Sequence, residues 1–170
     1  AYGTSGPGAS PHMAMATLAR AAGITPTQVA YRGDPEIFTA ILSGQVAAAF
    51  VLAPTAVPLA REGRLTALAV TAAARLPALP EVPTTAEAGW PDVTIASWWG
   101  LVAPRATPAA EVERLAAAAR AGLAAPGFGA RLAEGGAVVL DLGPEAFGAF
   151  IGRERARLLA LAAELGLRPE

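Results

Sequence analysis

Two hydrophobic rhythms alternate along the first half of the chain. Short continuous apolar runs of strand length occupy Gln28 to Tyr31, Val46 to Leu52 and Leu65 to Thr71. The last two read as strands buried on both faces. Between them the spacing turns helical. Pro11 to Ala22 is an Ala/Met/Leu run stopped by Gly23, and Ile37, Phe38, Ile41 and Leu42 share one face of a helix ended by Gly44. Pro54 to Glu62 is a short helix closed by Gly63. Strands alternating with helices predict a parallel α/β sheet. The pattern breaks at prolines 77, 80 and 83. Thr84-Thr85-Ala86-Glu87 then forms a capping box, with Ala88-Gly89 ending a single helical turn. Val93 to Ala103 predicts a long strand carrying Trp98 and Trp99.

The second half is mainly helical. Thr107 caps and Pro108 starts a helix whose apolar face is Val112, Leu115, Ala116, Ala119 and Leu123. Pro126-Gly127 interrupts it, and a shorter helical piece runs to Glu134. Gly135-Gly136 leads to a strand over Ala137 to Leu140. A last helix starts at Gly143-Pro144 and ends at Gly166, with Phe147, Phe150, Ile151, Leu158, Leu161 and Leu165 at helical spacing.

Candidate chemistry gathers at the start. Tyr2 to His12 holds three glycines and two prolines, which exclude regular structure through its middle. Ser10 suits an N-cap and Pro11 the first helical position. A loop feeding a helix N-terminus offers free N–H groups and the positive end of the helix dipole to an anion. Thr4, Ser5 and Ser10 add hydroxyls, and Gly6 and Gly8 let a ligand approach the main chain. An ordinary strand-to-helix turn accounts for the same residues, and Gly6-Pro7-Gly8 lacks the third glycine of a dinucleotide fingerprint. Asp34 caps a second such helix, with Pro35 first and Glu36 favouring its dipole; Tyr31, Arg32 and Gly33 precede it and line either a cleft or a surface turn. Thr55 follows a strand end, where it donates to ligand or caps its own helix. Trp98 and Trp99 read as hinge and lobe packing before a stacking platform. His12 is the sole histidine, and it cannot pair with Ser10, because residues two apart on a helix face different ways.

Composition narrows the classes. The 170 residues are 54% hydrophobic with a net charge of −1, which fits one globular domain, or one and a half lobes of a larger one. Nothing suggests a nucleic-acid or anionic-membrane surface. All basic residues are Arg and there is no Asn, which points to a GC-rich genome. With no Cys and one His, neither a disulfide nor a His/Cys metal site is expected, and no cofactor is called for. The apolar runs are too short to cross a bilayer. The chain starts without Met inside what reads as a strand end, so it is expected to be a mature or cut fragment, and its targeting cannot be read directly.

Several segments taken together resemble the Bug/TctC family of solute-binding proteins of tripartite tricarboxylate transporters. They are Leu65-Thr66-Ala67-Leu68-Ala69-Val70-Thr71, Arg75, Leu79-Pro80-Glu81-Val82-Pro83-Thr84-Thr85-Ala86-Glu87-Ala88-Gly89, Trp98-Trp99-Gly100-Leu101-Val102-Ala103-Pro104 and Thr107-Pro108. The glycine loop ending in His12, Tyr31-Arg32-Gly33 and Gly44-Gln45-Val46 match as well, so the similarity runs through essentially the whole chain in order. The resemblance implies a periplasmic-binding-protein-like (Venus flytrap) α/β fold closing on a small carboxylate, with no enzymatic activity. It implies residues 1–97 as the second ligand-binding lobe and 98–106 as a hinge or crossover strand. Residues 107–170 would then pack on a first lobe that this chain largely lacks. The expected ligand residues are Thr4, Ser5, Gly6, Gly8, Ala9, Ser10, His12, Tyr31, Gly33 and Thr55. The expected partners are a small carboxylate and membrane transporter subunits, in a periplasmic or extracytoplasmic location, with self-association through exposed C-terminal helices as a further expectation.

The chain departs from the family at three places, one of them Asp34, where the family often has a small residue. Ala9 replaces a frequent hydroxyl residue, and Ala47, Ala48 and Ala49 stand where an acid often follows Gly44-Gln45-Val46. The missing acid argues against an ammonium-bearing amino acid and for a simple carboxylate. Two other classes remain open at this point. One is the effector-sensing domain of a transcription regulator with a similar two-lobed fold. The other is a Rossmann-type nucleotide-binding enzyme.

Overall fold

The computed structural model describes residues 1–167. Three parallel strands lie in the order β2-β1-β3: β1 is Tyr2–Thr4, β2 is Gln28–Ala30 and β3 is Ala48–Ala49. A helix follows each one: α1 (Ser10–Ala22), α2 (Asp34–Leu42) and α3 (Ala53–Arg61). The second half supplies α4 (Ala109–Leu123), α5 (Phe128–Glu134) and α6 (Pro144–Glu164). This is an α/β fold with a parallel sheet, as the alternating pattern predicts.

The helix stops follow local chemistry. Gly23, Gly44, Gly63 and Gly166 all take left-handed backbone just past their helices, with φ between 65° and 75°. The helix starts are shifted by one residue from those expected. Ala9, Gly33 and Pro108 occupy the N-cap positions in place of Ser10, Asp34 and Thr107, and none of the three makes a side-chain cap bond. Ser10 and Asp34 are the first residues of their helices, and the following prolines still fall in the first turn.

The core lies between the sheet and its helices. Ile37 of α2 is fully buried over β1. Its approach depends on Gly3, where an added Cβ would come within 3.1 Å of Ile37 Cγ2. Val57 of α3 and Val93 are equally buried. Met13 and Ala14 of α1 form a cluster with Ile95, onto which Phe50 and the C-terminal half of α6, through Leu158 and Leu161, pack. An Arg20–Glu164 ion pair at 3.2 Å and an Arg157 bond to the Thr94 carbonyl fasten the same contact from outside. The apolar face of α4 is only half covered, and neither α4 nor α6 has a fully buried residue.

The capping box forms as written in the sequence. The Thr84 N–H donates to Glu87 Oε2 at 2.7 Å, and the Glu87 N–H donates to Thr84 Oγ1 at 3.1 Å. Arg75 adds two bonds from its Nε to the same carboxylate, and these hydrogen bonds hold the Glu87 carboxyl below its ordinary pKa.

Four strand expectations are corrected. Val46 to Leu52 contracts to two strand residues, because β1, its only ladder partner, is three residues long. Leu65 to Thr71 keeps a single bridge, Val70 to Thr84, and Leu68 is 73% exposed. Val93 to Ala103 forms no strand and takes no regular secondary structure. Side chains take its carbonyls instead: Thr71 Oγ1 donates to the Ile95 oxygen at 2.6 Å and Arg157 to that of Thr94 at 3.2 Å. Ala137 to Leu140 is likewise irregular, with Val138 74% exposed. In each case an apolar run met the side-chain requirement for a strand, but little or none of it found a backbone partner.

Candidate functional site

Parallel strands with following helices bring all three βα junctions to one edge of the sheet. The order β2-β1-β3 makes the chain switch sides at β1. Ligands of open α/β sheets bind at such a switch, outside the carboxyl ends of the strands. A cleft of about 670 Å³ opens there. Ser5, Ser10 and Pro11 from the first junction line it, with Gly33, Asp34 and Pro35 from the second and Leu52 and Thr55 from the third. The segment from Ala96 to Trp99 and Leu158 of α6 form its far wall.

Three helix N-termini therefore point at one space, each with a proline in its first turn. Among the described residues, the N–H groups of Ala9, Ser10, Gly33 and Asp34 have no protein hydrogen-bond partner. With the dipoles of α1 and α2 behind them, they form a field favourable to an anion. At the third terminus the Leu52 N–H is bonded within the protein, whereas the Ala53 N–H has no partner among the described residues. The Asp34 carboxylate accepts bonds from the Leu52 N–H at 3.3 Å and from the Thr55 hydroxyl. Asp34 thus ties the second junction to the third through Leu52 and Thr55, without accepting a first-turn N–H of α3, and its negative charge sits against that helix dipole.

The glycine loop has its own clamp. His12 is buried, and its Nδ1 accepts the Gly8 N–H at 2.9 Å. Burial holds the imidazole pKa below its ordinary value. The accepting Nδ1 carries no proton, so neutral His12 shapes the loop without adding charge. Gly6 and Gly8 have φ of 123° and 74°, which the loop path requires. The Thr4 hydroxyl turns inward and donates to the Gly6 carbonyl at 3.4 Å.

Of the residues expected from sequence, Ser5, Ser10, Gly33 and Thr55 line the cleft together. Thr4, Gly6, Gly8, Ala9 and His12 build the loop that presents Ser10, and half-buried Tyr31 lies behind, its ring near Gly3. Sequence reasoning missed Ser97 and Leu158 and the cross-junction role of Asp34. Trp98 is packed edge-on against Phe147 and Phe150, with ring centroids at 5.7 and 5.5 Å, while its neighbour Trp99 is 68% exposed.

The family described as the tripartite tricarboxylate transporter family receptor, TctC, matches residues 1–167. The chain belongs to the TctC family. A UPF0065 protein of Bordetella pertussis is 30% identical to this TctC chain over 169 residues, covering 99% of the chain and 52% of that relative. The periplasmic binding protein BugD superposes with a TM-score of 0.88 at 29% identity, over 99% of this chain and 57% of its own. An R. palustris protein solved with adipate superposes at 0.90 and 32% identity, over 99% and 56%. The fold is thus that of periplasmic binding proteins, and the chain spans about half the length of these relatives. Among the described residues no helix is long and apolar enough to cross a membrane.

Proposed function

We propose that this TctC chain captures a small carboxylate outside the cytoplasm for a tripartite tricarboxylate transporter, by binding and without catalysis. The observation that carries this is the convergence of unsatisfied N–H groups from the starts of α1 and α2 on one cleft, with the Ser5 and Ser10 hydroxyls beside them. A carboxylate accepts several such bonds without needing an arginine. The family membership and the adipate bound by the R. palustris relative support the same ligand chemistry. In this proposal residues 1–97 form one ligand-binding lobe and 98–106 the crossing between lobes. Residues 107–170 belong mainly to the other lobe, and α6 reaches back to α1.

Thermal shift of the 170-residue chain with dicarboxylates, keto acids and aromatic acids tests the proposal. A ligand at about 100 times its Kd adds about 2.7 kcal/mol, a rise of about 5–10 °C for a domain of this size. Stabilisation by carboxylates and not by nucleotides, sugars or divalent metals is the expected result. A response confined to those other classes overturns it.

A further inference from the structure

The turn from Ser5 to Gly8 leads straight into the Ala9 and Ser10 N–H groups. Ser5, Pro7 and Gly8 are exposed, and Gly6 and Gly8 take positive φ. Among the described residues, two inward hydrogen bonds fasten this turn. The Thr4 hydroxyl donates to the Gly6 carbonyl at 3.4 Å, and the Gly8 N–H donates to His12 Nδ1 at 2.9 Å. The second is the shorter, and it ties the turn to the first turn of α1.

That bond exists only for the neutral imidazole. Nδ1 needs a free lone pair to accept from Gly8, whereas in the imidazolium both ring nitrogens carry protons. Protonation therefore replaces an acceptor facing an N–H with a donor facing an N–H. His12 is 8% exposed and lies in the first turn of α1. The new charge would be desolvated and set against the positive end of the helix dipole. The ring escapes both by turning towards water, which releases Gly8. The loop that closes on the imidazole, Ser5 to Ala9, carries no ionisable side chain. Of the charged groups near α1, Asp34 is bonded to Leu52 and Thr55, Arg20 pairs with Glu164, and Arg157 pairs with Glu154. Burial, and no charged neighbour among the described residues, is what shifts the imidazole.

We propose that the Gly8–His12 bond makes ligand capture at this cleft proton-sensitive: protonating His12 opens the clamp, loosens the loop that presents Ser10, and weakens the hold on the carboxylate. This inference rests on the carboxylate reading above and adds the regulation of that site. His12 is then a positioning residue that acts through the Gly8 N–H. An imidazolium touching the ligand directly would do the opposite and strengthen anion binding, so the sign of the pH dependence separates the two roles.

Calorimetric titration of the full chain with adipate and with benzoate at pH 7.5 and 5.5 tests the proposal. His12→Asn places a non-titrating amide oxygen near the Nδ1 position, and its pH dependence reports the ligand's own ionisation. Wild-type affinity should fall on acidification by about two- to tenfold more than that of His12→Asn, tenfold being the ceiling for an imidazole of ordinary pKa about 6.5. At pH 7.5 His12→Asn should bind more tightly than His12→Ala, because it restores an acceptor for Gly8. A second measurement needs no variant to fold. His12 is the sole histidine, so its ring resonances can be followed by NMR in the wild-type chain. Saturation with the acid that binds should lower the imidazole pKa, by the reciprocity of linked equilibria. Affinity that rises on acidification, an imidazole pKa raised by ligand, or a wild-type pH profile matching that of His12→Asn overturns the inference while the carboxylate function stands. If neither acid binds at pH 7.5, the carboxylate reading fails and the inference with it.

Discussion

Gly100 lies against Phe147 of α6, and Gly100→Ala sets two effects of opposite sign against each other. At a compatible backbone position, Gly→Ala stabilises a fold by about 0.4–1 kcal/mol by restricting the unfolded chain. Gly100 does not have left-handed φ, so its backbone would accept alanine. The added Cβ, however, would fall 2.1 Å from Phe147 Cζ and 2.6 Å from its Cε1. Phe147 is only half-buried, so its ring can swing away instead of forcing the backbone apart. Doing so gives up its edge contact with Trp98 and its stacked contact with Phe150. At about 0.5–1.5 kcal/mol for each aromatic pair, the loss is about 1–3 kcal/mol. The clash therefore outweighs the gain over nearly the whole range, with a net destabilisation of about 0–2.6 kcal/mol, which lowers Tm by up to roughly 10 °C. Urea denaturation of wild type, G100A, F147A and the double variant measures the coupling. In the F147A background the same alanine should be neutral or stabilising, because the obstructing ring is gone. If G100A stabilises the protein while Phe147 is present, the packing of Trp98 and Gly100 on Phe147 described above is wrong.

Two further outcomes follow from local contacts. Thr84→Ala removes the buried hydroxyl that accepts the Glu87 N–H and should lower stability by about 0.5–2 kcal/mol in urea melts, whereas an unchanged midpoint would show that the capping box contributes nothing. For His12 the folded pKa lies below the unfolded one, so between the two values the unfolded chain binds more protons. His12 therefore withholds no stability above about pH 6.5, and stability falls as pH drops from there towards the folded pKa. Urea melts of wild type and His12→Gln at pH 7.5 and 5.5 should show a larger acid loss in wild type; equal losses would refute the buried Gly8–His12 contact.

What could be read from the sequence was whatever short-range chemistry decides. Gly23, Gly44, Gly63 and Gly166 each ended a helix because left-handed backbone favours glycine. Thr84 and Glu87 could be paired because three residues is the reach of a capping box. The strands were less legible, because an apolar run such as Leu65 to Thr71 carries no information about whether a partner strand lies beside it. The cleft divided the same way. Ser5, Ser10, Gly33 and Thr55 sit where strand ends meet helix starts, and that placement is visible in the alternating pattern. Asp34 read as a cap for its own helix. Its carboxylate instead reaches Leu52 and Thr55 at the third junction, an outcome of tertiary packing that no spacing rule anticipates. Leu158 carried no local signal either, since only the return of α6 over α1 brings it to the cleft.

In the proposed function, backbone N–H groups at the starts of α1 and α2 hold the ligand's carboxylate. Amide NMR of the isotopically labelled chain, titrated with benzoate and with adipate, tests this at the atoms concerned. Saturable shifts at Ala9, Ser10, Gly33 and Asp34 are the expected result. Saturable shifts that leave those four amides unmoved and fall instead around Arg61 and Leu79, which line a separate hollow of about 340 Å³, would contradict it.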